Sequence, residues 1–228
     1  MNQQLIVVGT DTEIGKTVIT GLIAHWFTQI GISVTTQKWV QTGADTSDDL
    51  NVHDQYAPDM TVFPEEVRCP YRFNSPVSPH FASALAQDTI SLNKVKTAFY
   101  ALAKQVELLI CETSGGILVP YSQNERQLDL VDQLAVPVVV VAPNQLGVLN
   151  QAMLTVERLQ QHKHHVVGVI LSQRCLDVDV DLMRNNEATL SHWLSAPVLG
   201  TVPYCVDDVL KKESFQLIGA QLKRQLFP

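Results

Sequence analysis

Positive charge is scarce in this sequence. Its 228 residues include 16 Lys and Arg against 23 Asp and Glu, which gives a net charge of −7 at neutral pH. Proteins that hold nucleic acid gain most of their affinity from clustered Lys and Arg placed against phosphates. The acidic balance therefore argues against a nucleic-acid partner. A small phosphate-bearing ligand needs only a few donors and is still allowed.

Long hydrophobic runs are lacking as well. The longest, such as AVPVVVVAP at 135–143, are far shorter than the ~20 apolar residues of a membrane-spanning helix. The N-terminal segment does not have the pattern of a secretory signal, and the four cysteines show no C-x-x-C pair and no metal-ligand spacing. We therefore expect a cytoplasmic protein with reduced thiols and no membrane partner.

Short apolar runs alternate with helix-like segments, which is typical of a parallel sheet covered on both faces. No repeat or low-complexity linker interrupts the pattern, so it predicts a single-domain α/β fold over residues 1–228. Strands are predicted at 5–8, 34–40, 108–111, 138–142, 166–171 and 198–201. Helices are predicted at 16–29, 83–86, 92–105, 127–134, 149–162, 180–194 and 215–226. The polar segment 42–79 is expected to form long irregular insertions beside the sheet.

The first predicted strand leads into LIVVGTDTEIGKT at 5–17, which ends like a phosphate-binding loop. Gly9 and Gly15 are separated by five residues, whereas the standard G-x-x-x-x-G-K-[ST] pattern has four. The strand–loop–helix context favours anion binding, because backbone N–H groups and the helix dipole would face the phosphates. Lys16 would reach the terminal phosphates and the Thr17 hydroxyl would bind Mg²⁺. An accidental G-K-T at a helix start is the alternative.

Lys38 lies at the end of the second predicted strand, in TTQKWVQTG at 35–43. In open parallel sheets, ligands bind beyond the carboxyl ends of the strands, where a lysine is well placed to meet an anion. A surface lysine whose stem covers apolar residues fits the same pattern. The position alone does not decide between the two.

Glu112 follows the third apolar run directly, as the acidic residue of an NTPase metal site does. The glycine pair 115–116 behind it allows close backbone approach to a ligand. Thr17, Glu112 and, less strongly, Asp54 are candidate ligands of one Mg²⁺, which takes few protein ligands. A glutamate that merely begins a loop is the alternative for Glu112. Most carboxylates near Asp54 must be solvated: Asp45, Asp48, Asp49 and Asp59.

These motifs resemble those of the dethiobiotin synthetase family of P-loop NTPases. GTDTEIGKT at 9–17 matches the family's G-T-D-T-x-x-G-K-T with the same long spacing. Further similar segments occur in the same order: KWVQTG at 38–43, SPH at 78–80, ETSGG at 112–116, LGVLNQAMLT at 146–155 and PVLGTVPY at 197–204. The resemblance implies a P-loop NTPase type of fold and extends over nearly the whole chain.

The resemblance implies an ATP-dependent ligase reaction in three steps. CO2 adds to an amine of 7,8-diaminononanoate (diaminopelargonate) to give a carbamate, and the carbamate oxygen then attacks the γ-phosphate of ATP. The second amine closes the ureido ring and releases phosphate. The resemblance also implies Mg²⁺ as the cofactor and a homodimer whose interface contains the site.

Site residues implied by the resemblance fall into four groups. The catalytic pair is Lys16 and Lys38. Nucleotide contacts are implied for Glu13, Ile14, Gly15, Lys16, Thr17, Val18, Asp54, Glu112, Thr113, Ser114, Gly115, Ser172, Gln173, Pro203 and Tyr204. Substrate contacts are implied for Thr12, Lys38, Thr42, Gly147 and Asn150, the last two towards the partner's substrate. The implied metal ligands are Thr17, Asp54 and Glu112.

Three departures from the family pattern have consequences. Trp39 replaces a proline beside Lys38 and is expected to reshape that wall of the site, and the family's E-G-A becomes E-T-S at 112–114. Ser172 and Gln173 stand where the family usually has an asparagine that contacts adenine, so we expect weaker discrimination for ATP.

A partition-type ATPase switch that acts through a protein partner is the alternative function. Its signature lysine would occupy the position of Asp11.

Overall fold

The computed structural model describes residues 2–44, 48–177 and 179–227. Within these ranges the strands are β1 Gln3–Gly9, β2 Val34–Lys38, β3 Val40–Thr42, β4 Tyr71–Phe73, β5 Leu108–Gly116, β6 Val138–Pro143, β7 Val166–Ser172 and β8 Val198–Val202. The helices are α1 Lys16–Gln29, α2 Asp49–Tyr56, α3 Glu65–Arg68, α4 Pro79–Ala86, α5 Leu92–Ala103, α6 Gln127–Leu134, α7 Val148–Gln161, α8 Val180–Trp193, α9 Asp208–Ser214 and α10 Gln216–Leu226.

Six strands form one sheet in the order β2-β5-β1-β6-β7-β8. Every neighbouring pair in it is parallel. Each of the six predicted strands is present, and the sheet confirms the predicted α/β fold class. Most of its strands contain continuous apolar runs, because both faces of the sheet are covered and little of either face meets water. Strand β2, with the sequence VTTQK, is buried although most of its side chains are polar.

Two separate cores explain why both faces are apolar. Side chains alternate across a strand, so Leu5 and Val7 pack into one core while Ile6 and Val8 pack into the other. The first core is completed by residues of α1, α2 and α10, and the second by residues of α5, α6, α7 and α8. The helices therefore flank the sheet on both faces, as the alternating sequence pattern predicts.

The expectation of irregular structure at 42–79 was wrong. The described part of this segment contains α2, α3 and β4, and β4 pairs in parallel with β3 in a separate two-stranded sheet. The predicted strand 34–40 likewise ends at Lys38, after which the chain enters the smaller sheet. Helix α2 lacks a clear apolar period because it buries only Leu50, His53 and Tyr56. Its polar composition gave no sequence signal for a helix. Helix α9 was not predicted either.

None of the helices in the described ranges has both the length and the apolar character needed to cross a bilayer.

Candidate active site

The phosphate-binding loop connects β1 to α1. Lys16 is the first residue of the helix, and its Nζ donates a hydrogen bond to the backbone oxygen of Asp11 at 2.6 Å. A Cβ added at Gly9 would lie 2.7 Å from Nζ of Lys16 and 2.9 Å from the Asp11 oxygen, so a larger residue would obstruct this arrangement. Burial, with the nearby charge of Lys38, lowers the pKa of Lys16 to about 8. A bound phosphate would therefore stabilise the charged form of Lys16, which burial disfavours.

A cavity of about 640 Å³ opens beside this loop, beyond the carboxyl ends of β1, β2 and β5. It brings together many of the sequence-predicted site residues: Thr12, Glu13, Ile14, Gly15, Lys16, Thr17, Lys38, Thr42, Glu112, Ser114 and Gly115. Ser78 and Pro79, from the SPH segment, contribute to its wall. The position matches the rule that ligands bind at the carboxyl edge of a parallel sheet.

Glu112 is the buried acid of this cavity. The register of β2 and β5 sets it beside Lys38, whose Nζ lies 2.8 Å from Oε1. The hydroxyl of Thr17 donates to the same oxygen at 3.1 Å. Burial alone would raise the pKa of Glu112, but Lys38 and His53 outweigh it and hold this pKa well below its usual range. The carboxylate is therefore charged at neutral pH.

Lys38 is buried between two carboxylates, which excludes the surface-lysine alternative. Its Nζ contacts Oε1 of Glu112, lies 2.5 Å from Oδ2 of Asp49 and donates to the backbone oxygen of Thr113 at 3.2 Å. Burial alone would lower the pKa of Lys38, but Glu112 and Asp49 raise it above its ordinary value. The ammonium is a fixed positive charge in the cavity wall.

Asp54 is not brought into the cavity. Its carboxylate forms two hydrogen bonds with Arg68, at 2.7 and 3.1 Å, and its side chain is 39% exposed. Asp49 enters from α2 instead, because one turn separates it from His53 and sets the two on one face of the helix. Asp54 is the next residue along and is rotated by about 100° from His53. The metal-ligand assignment to Asp54 therefore requires correction.

The sequence interpretation missed Asp49 and His53. The available signal was Asp48, whose side chain caps the first turn of α2 by accepting from the backbone N–H of Leu50 at 3.0 Å. An acidic cap followed by an i, i+4 pair would have predicted a helix with Asp49 and His53 on one face.

The donor set fits Mg²⁺. Thr17 and Lys38 both contact Oε1 of Glu112, and Lys38 links that carboxylate to Asp49, so a hydroxyl and two carboxylates converge on one corner of the cavity. Mg²⁺ prefers such oxygen ligands and takes one or two carboxylates together with substrate phosphates. Within the described ranges, no group of three or more His, Cys, Asp or Glu is arranged to hold a metal.

Four predicted nucleotide contacts lie at the carboxyl ends of the adjacent strands β7 and β8 and do not line the cavity: Ser172, which ends β7, Gln173, which follows it, and Pro203 and Tyr204, which follow β8. Ser172 Oγ donates to the backbone oxygen of Ile14 at 2.5 Å and so contacts the phosphate-binding loop. The side-chain nitrogen of Gln173 donates to the backbone of its own loop, at Cys175. These residues share one edge of the sheet next to the loop.

Three further predicted residues lie outside the cavity. Gly147 and Asn150 are exposed at the N-terminal end of α7, and Val18 is half-buried in α1. Gly147 adopts a φ of +94°, which favours glycine at the start of this helix.

The departures from the family pattern have clear structural places. Trp39 is fully buried in the core, with its indole N–H donating to Gln37 at 3.2 Å, and it does not line the cavity. The expectation that it reshapes the wall beside Lys38 stays a prediction. Thr113 is also absent from the cavity lining, and its hydroxyl donates to the backbone oxygen of Val7 at 3.0 Å. Ser114 does reach the cavity and donates to the backbone of Val40.

Solved structures share this fold at low sequence identity. The MinC:MinD cell division protein complex of Aquifex aeolicus matches with a TM-score of 0.62 and 11% identity, over 97% of this chain and 94% of that one. A ParA family ATPase from Chlorobium tepidum matches with a TM-score of 0.58 and 14% identity, over 99% and 97% of the two chains. At these identities the likeness establishes the fold alone.

Sequence comparisons are more specific. The family described as AAA domain matches residues 3–211. The ATP-dependent dethiobiotin synthetase BioD of Bacillus cereus (strain B4264) is 31% identical over 208 residues, which cover 91% of this chain and 86% of the relative. The ATP-dependent dethiobiotin synthetase BioD 2 of Pasteurella multocida is 36% identical over 173 residues, or 75% and 81% of the two chains. This chain belongs to the ATP-dependent dethiobiotin synthetase family.

Proposed function

We propose that this protein is an ATP-dependent cyclo-ligase of biotin biosynthesis. It forms the ureido ring of dethiobiotin from 7,8-diaminononanoate and CO2 and releases ADP and phosphate. Family membership supports the reaction. The structural observation that carries it is the buried Lys38, which faces the same cavity as the phosphate-binding loop and so sets a fixed cation beside the expected γ-phosphate.

The loop supplies the phosphate-binding half of the reaction. Phosphoryl transfer depends mostly on positioning and charge neutralisation. The Nζ of Lys16 now contacts a loop carbonyl, at Asp11, and is held next to the helix N-terminus. When ATP binds, the ammonium would exchange this carbonyl for phosphate oxygens, and a hydrogen bond between two charged partners is stronger than one from the ammonium to an uncharged carbonyl.

Thr17, Asp49 and Glu112 are the residues we propose for Mg²⁺, with Asp49 in place of Asp54. The hydrogen bond between Thr17 and Glu112, and the contacts of Lys38 with both carboxylates, support this assignment. When bound, Mg²⁺ would neutralise charge on the β- and γ-phosphates.

Lys38 serves the carbamate half of the reaction in this proposal. Its ammonium would donate to the carbamate anion and then offset the charge that develops as the carbamate oxygen attacks phosphorus. Thr12 and Thr42 line the same cavity and are proposed to hold the carbamate or the diamine by hydrogen bonds. Because Lys38 is buried and paired, its position is fixed before substrate arrives, so little reorganisation is needed during the reaction.

We also propose a cytoplasmic homodimer that binds neither nucleic acid nor membrane. In this arrangement Gly147 and Asn150, exposed at the start of α7, contact the substrate of the partner subunit. Sedimentation of the purified protein tests the dimer. An Asn150→Ala variant that raises KM for the diamine without changing ATP binding would support the assignment of Asn150 to the substrate site.

One assay separates this function from a partition-type ATPase. The protein is incubated with ATP, Mg²⁺, bicarbonate and the diamine, and both phosphate and dethiobiotin are measured. We expect phosphate release that depends on the diamine. Release at the same rate without the diamine would favour the ATPase switch and contradict the ligase.

A further inference from the structure

The two oxygens of Glu112 have different partners. Oε1 accepts from Thr17 and Lys38 at the cavity, whereas Oε2 lies 2.7 Å from Nε2 of His53. His53 is completely buried, and so is the carboxylate that it contacts. His53 belongs to the same helix face as Asp49.

Both ring nitrogens of His53 have a hydrogen-bond partner. Thr36 Oγ1 accepts from Arg68 at 2.8 Å and lies 3.1 Å from Nδ1 of His53. The charged carboxylate of Glu112 can only accept a hydrogen bond, so Nε2 carries a proton and donates it to Oε2. Thr36 therefore contacts the ring at Nδ1 while Glu112 contacts it at Nε2.

Arg68 holds Thr36 in position to contact His53. Its guanidinium is buried, donates to the backbone oxygen and the hydroxyl of Thr36, and forms the bidentate pair with Asp54. Asp54 and Arg68 therefore hold Thr36, Thr36 orients the His53 ring, and the ring orients Glu112. Asp54 is thus at the outer end of a hydrogen-bonded chain that reaches the site through side chains of α2, α3 and β2.

We infer that His53 is a positioning residue that holds Oε2 of Glu112 and thereby leaves Oε1 as the one oxygen of Glu112 directed at the cation site. The inference rests on the proposed role of Glu112 as a Mg²⁺ ligand. Without the N–H of His53, the carboxylate could rotate and a buried oxygen would lose its partner. Hydrogen bonds of this kind, one shell beyond a metal ligand, typically change metal affinity or activity by ~10–100-fold.

Two variants of similar size separate the donor from the packing of the ring. In His53→Gln the side-chain amide nitrogen reaches the place of Nε2 and keeps the donor to Glu112. In His53→Asn the amide reaches only the place of Nδ1 and keeps the contact with Thr36. Each variant loses one of the two contacts of a buried side chain, so their unfolding free energies, measured in urea, control for a purely structural effect.

The measurement is calorimetric titration of MgCl2 into the ADP-bound protein, with affinity for metal-free ADP as a second readout. We expect His53→Asn to weaken Mg²⁺ binding by ~10–100-fold, His53→Gln to recover most of it, and metal-free ADP binding to stay the same. If His53→Asn does not fold, His53→Met takes its place, since it fills the site without an N–H. The inference would be overturned if the variant without a donor bound Mg²⁺ as tightly as the wild type. It would also be overturned if His53→Gln bound Mg²⁺ as weakly as the variant without a donor.

The titration uses no diamine, so its outcome does not depend on whether the protein catalyses the proposed ligase reaction. A wild-type protein that makes no dethiobiotin, but whose variants show the predicted order of Mg²⁺ affinities, would contradict the ligase and support the positioning role. A wild-type protein that makes dethiobiotin, with the same Mg²⁺ affinity in all the variants, would support the ligase and contradict the positioning role.

Discussion

Lys38 Nζ and Oδ2 of Asp49 lie 2.5 Å apart inside the site, although the two residues are eleven positions apart in sequence and belong to different layers of the fold. The contact ties the start of α2 to the end of β2. It therefore makes a short polar helix part of the catalytic cavity, and it identifies the second carboxylate of the proposed cation site.

Asp49 and Asp54 offer a matched comparison, because both are acids of the same helix. Asp49→Asn is expected to raise the Mg²⁺ concentration needed for half-maximal activity more than Asp54→Asn, since only Asp49 lines the cavity. Activity measured against MgCl2 at saturating ATP checks the order. A larger shift for Asp54→Asn would show that the exposed pair with Arg68 is exchanged for metal during turnover, and it would restore the sequence-based assignment.

Lys38→Ala is expected to abolish turnover and leave ATP binding largely intact, because Lys16 and the loop hold the nucleotide. Removing one partner of a buried ion pair costs about 3–5 kcal/mol, so the free protein should also lose stability. Mg²⁺ should restore part of that loss by neutralising Asp49 and Glu112. Urea unfolding with and without MgCl2 measures this, with Lys38→Arg as the control that keeps the charge. Loss of ATP binding in a folded Lys38→Ala protein would mean that its role is misassigned.

Gly21 permits the close packing of α1 against α2. A Cβ at Gly21 would lie 2.8 Å from Cβ of Tyr56, and one at Gly219 would lie 2.3 Å from the Trp26 ring, away from the site. Both alanine variants are expected to lose about 1–3 kcal/mol of unfolding free energy, the usual cost of overpacking. Only Gly21→Ala should also weaken Mg²⁺–ADP binding, because it displaces the helix that carries Asp49. Equal effects on binding would show that α2 does not transmit the change.

Thiol reactivity provides a test of burial that is independent of activity. Burial raises the pKa of Cys69 to about 11 and also raises the pKa of the fully buried Cys111. Both thiols therefore stay protonated and unreactive at pH 8, and Cys69 should react only as the pH approaches 11. Exposed Cys175 should react first with a disulfide reagent, and the Cys175→Ser variant should lose this fast phase. Rapid labelling of Cys69 in the native protein at pH 8 would contradict the packing of α3 and β4.

Base recognition should be weak. The side-chain donors of Ser172 and Gln173 are directed at the backbone of Ile14 and Cys175. We expect the preference for ATP over GTP or CTP, as the ratio of kcat/KM values, to stay well below the ~10⁴-fold that a fully hydrogen-bonded recognition site reaches. Ser172→Asn, which restores the residue usual in the family, should increase the preference. A wild-type protein that already rejects other nucleotides strongly would refute this expectation.

The parts of the site that the sequence predicts are those encoded locally. The phosphate loop is one continuous motif between a strand and a helix, and Glu112 directly follows an apolar run, so both positions can be inferred from neighbouring residues. Most of the central strands are predictable for the same reason, since each contains a short run of apolar residues, whereas β2 (VTTQK) is buried with mostly polar side chains.

The parts that the sequence does not predict depend on tertiary contacts. Asp49 and Asp54 are both acids in a polar stretch, and only the rotation of α2 against β2 determines which of them reaches Lys38. The burial of His53 is equally hidden, because its partners Thr36 and Glu112 are 17 and 59 residues away in sequence. The wrong assignment to Asp54 came from treating this helix as an irregular loop.

Incorporation of labelled bicarbonate tests the central claim most directly. The protein is incubated with ¹⁴C-bicarbonate, ATP, Mg²⁺ and 7,8-diaminononanoate, and the label in dethiobiotin is compared with the phosphate released. The account predicts equimolar label and phosphate, both lost in the Lys38→Ala variant. Phosphate release without labelled dethiobiotin, at the same rate in the variant, would contradict it.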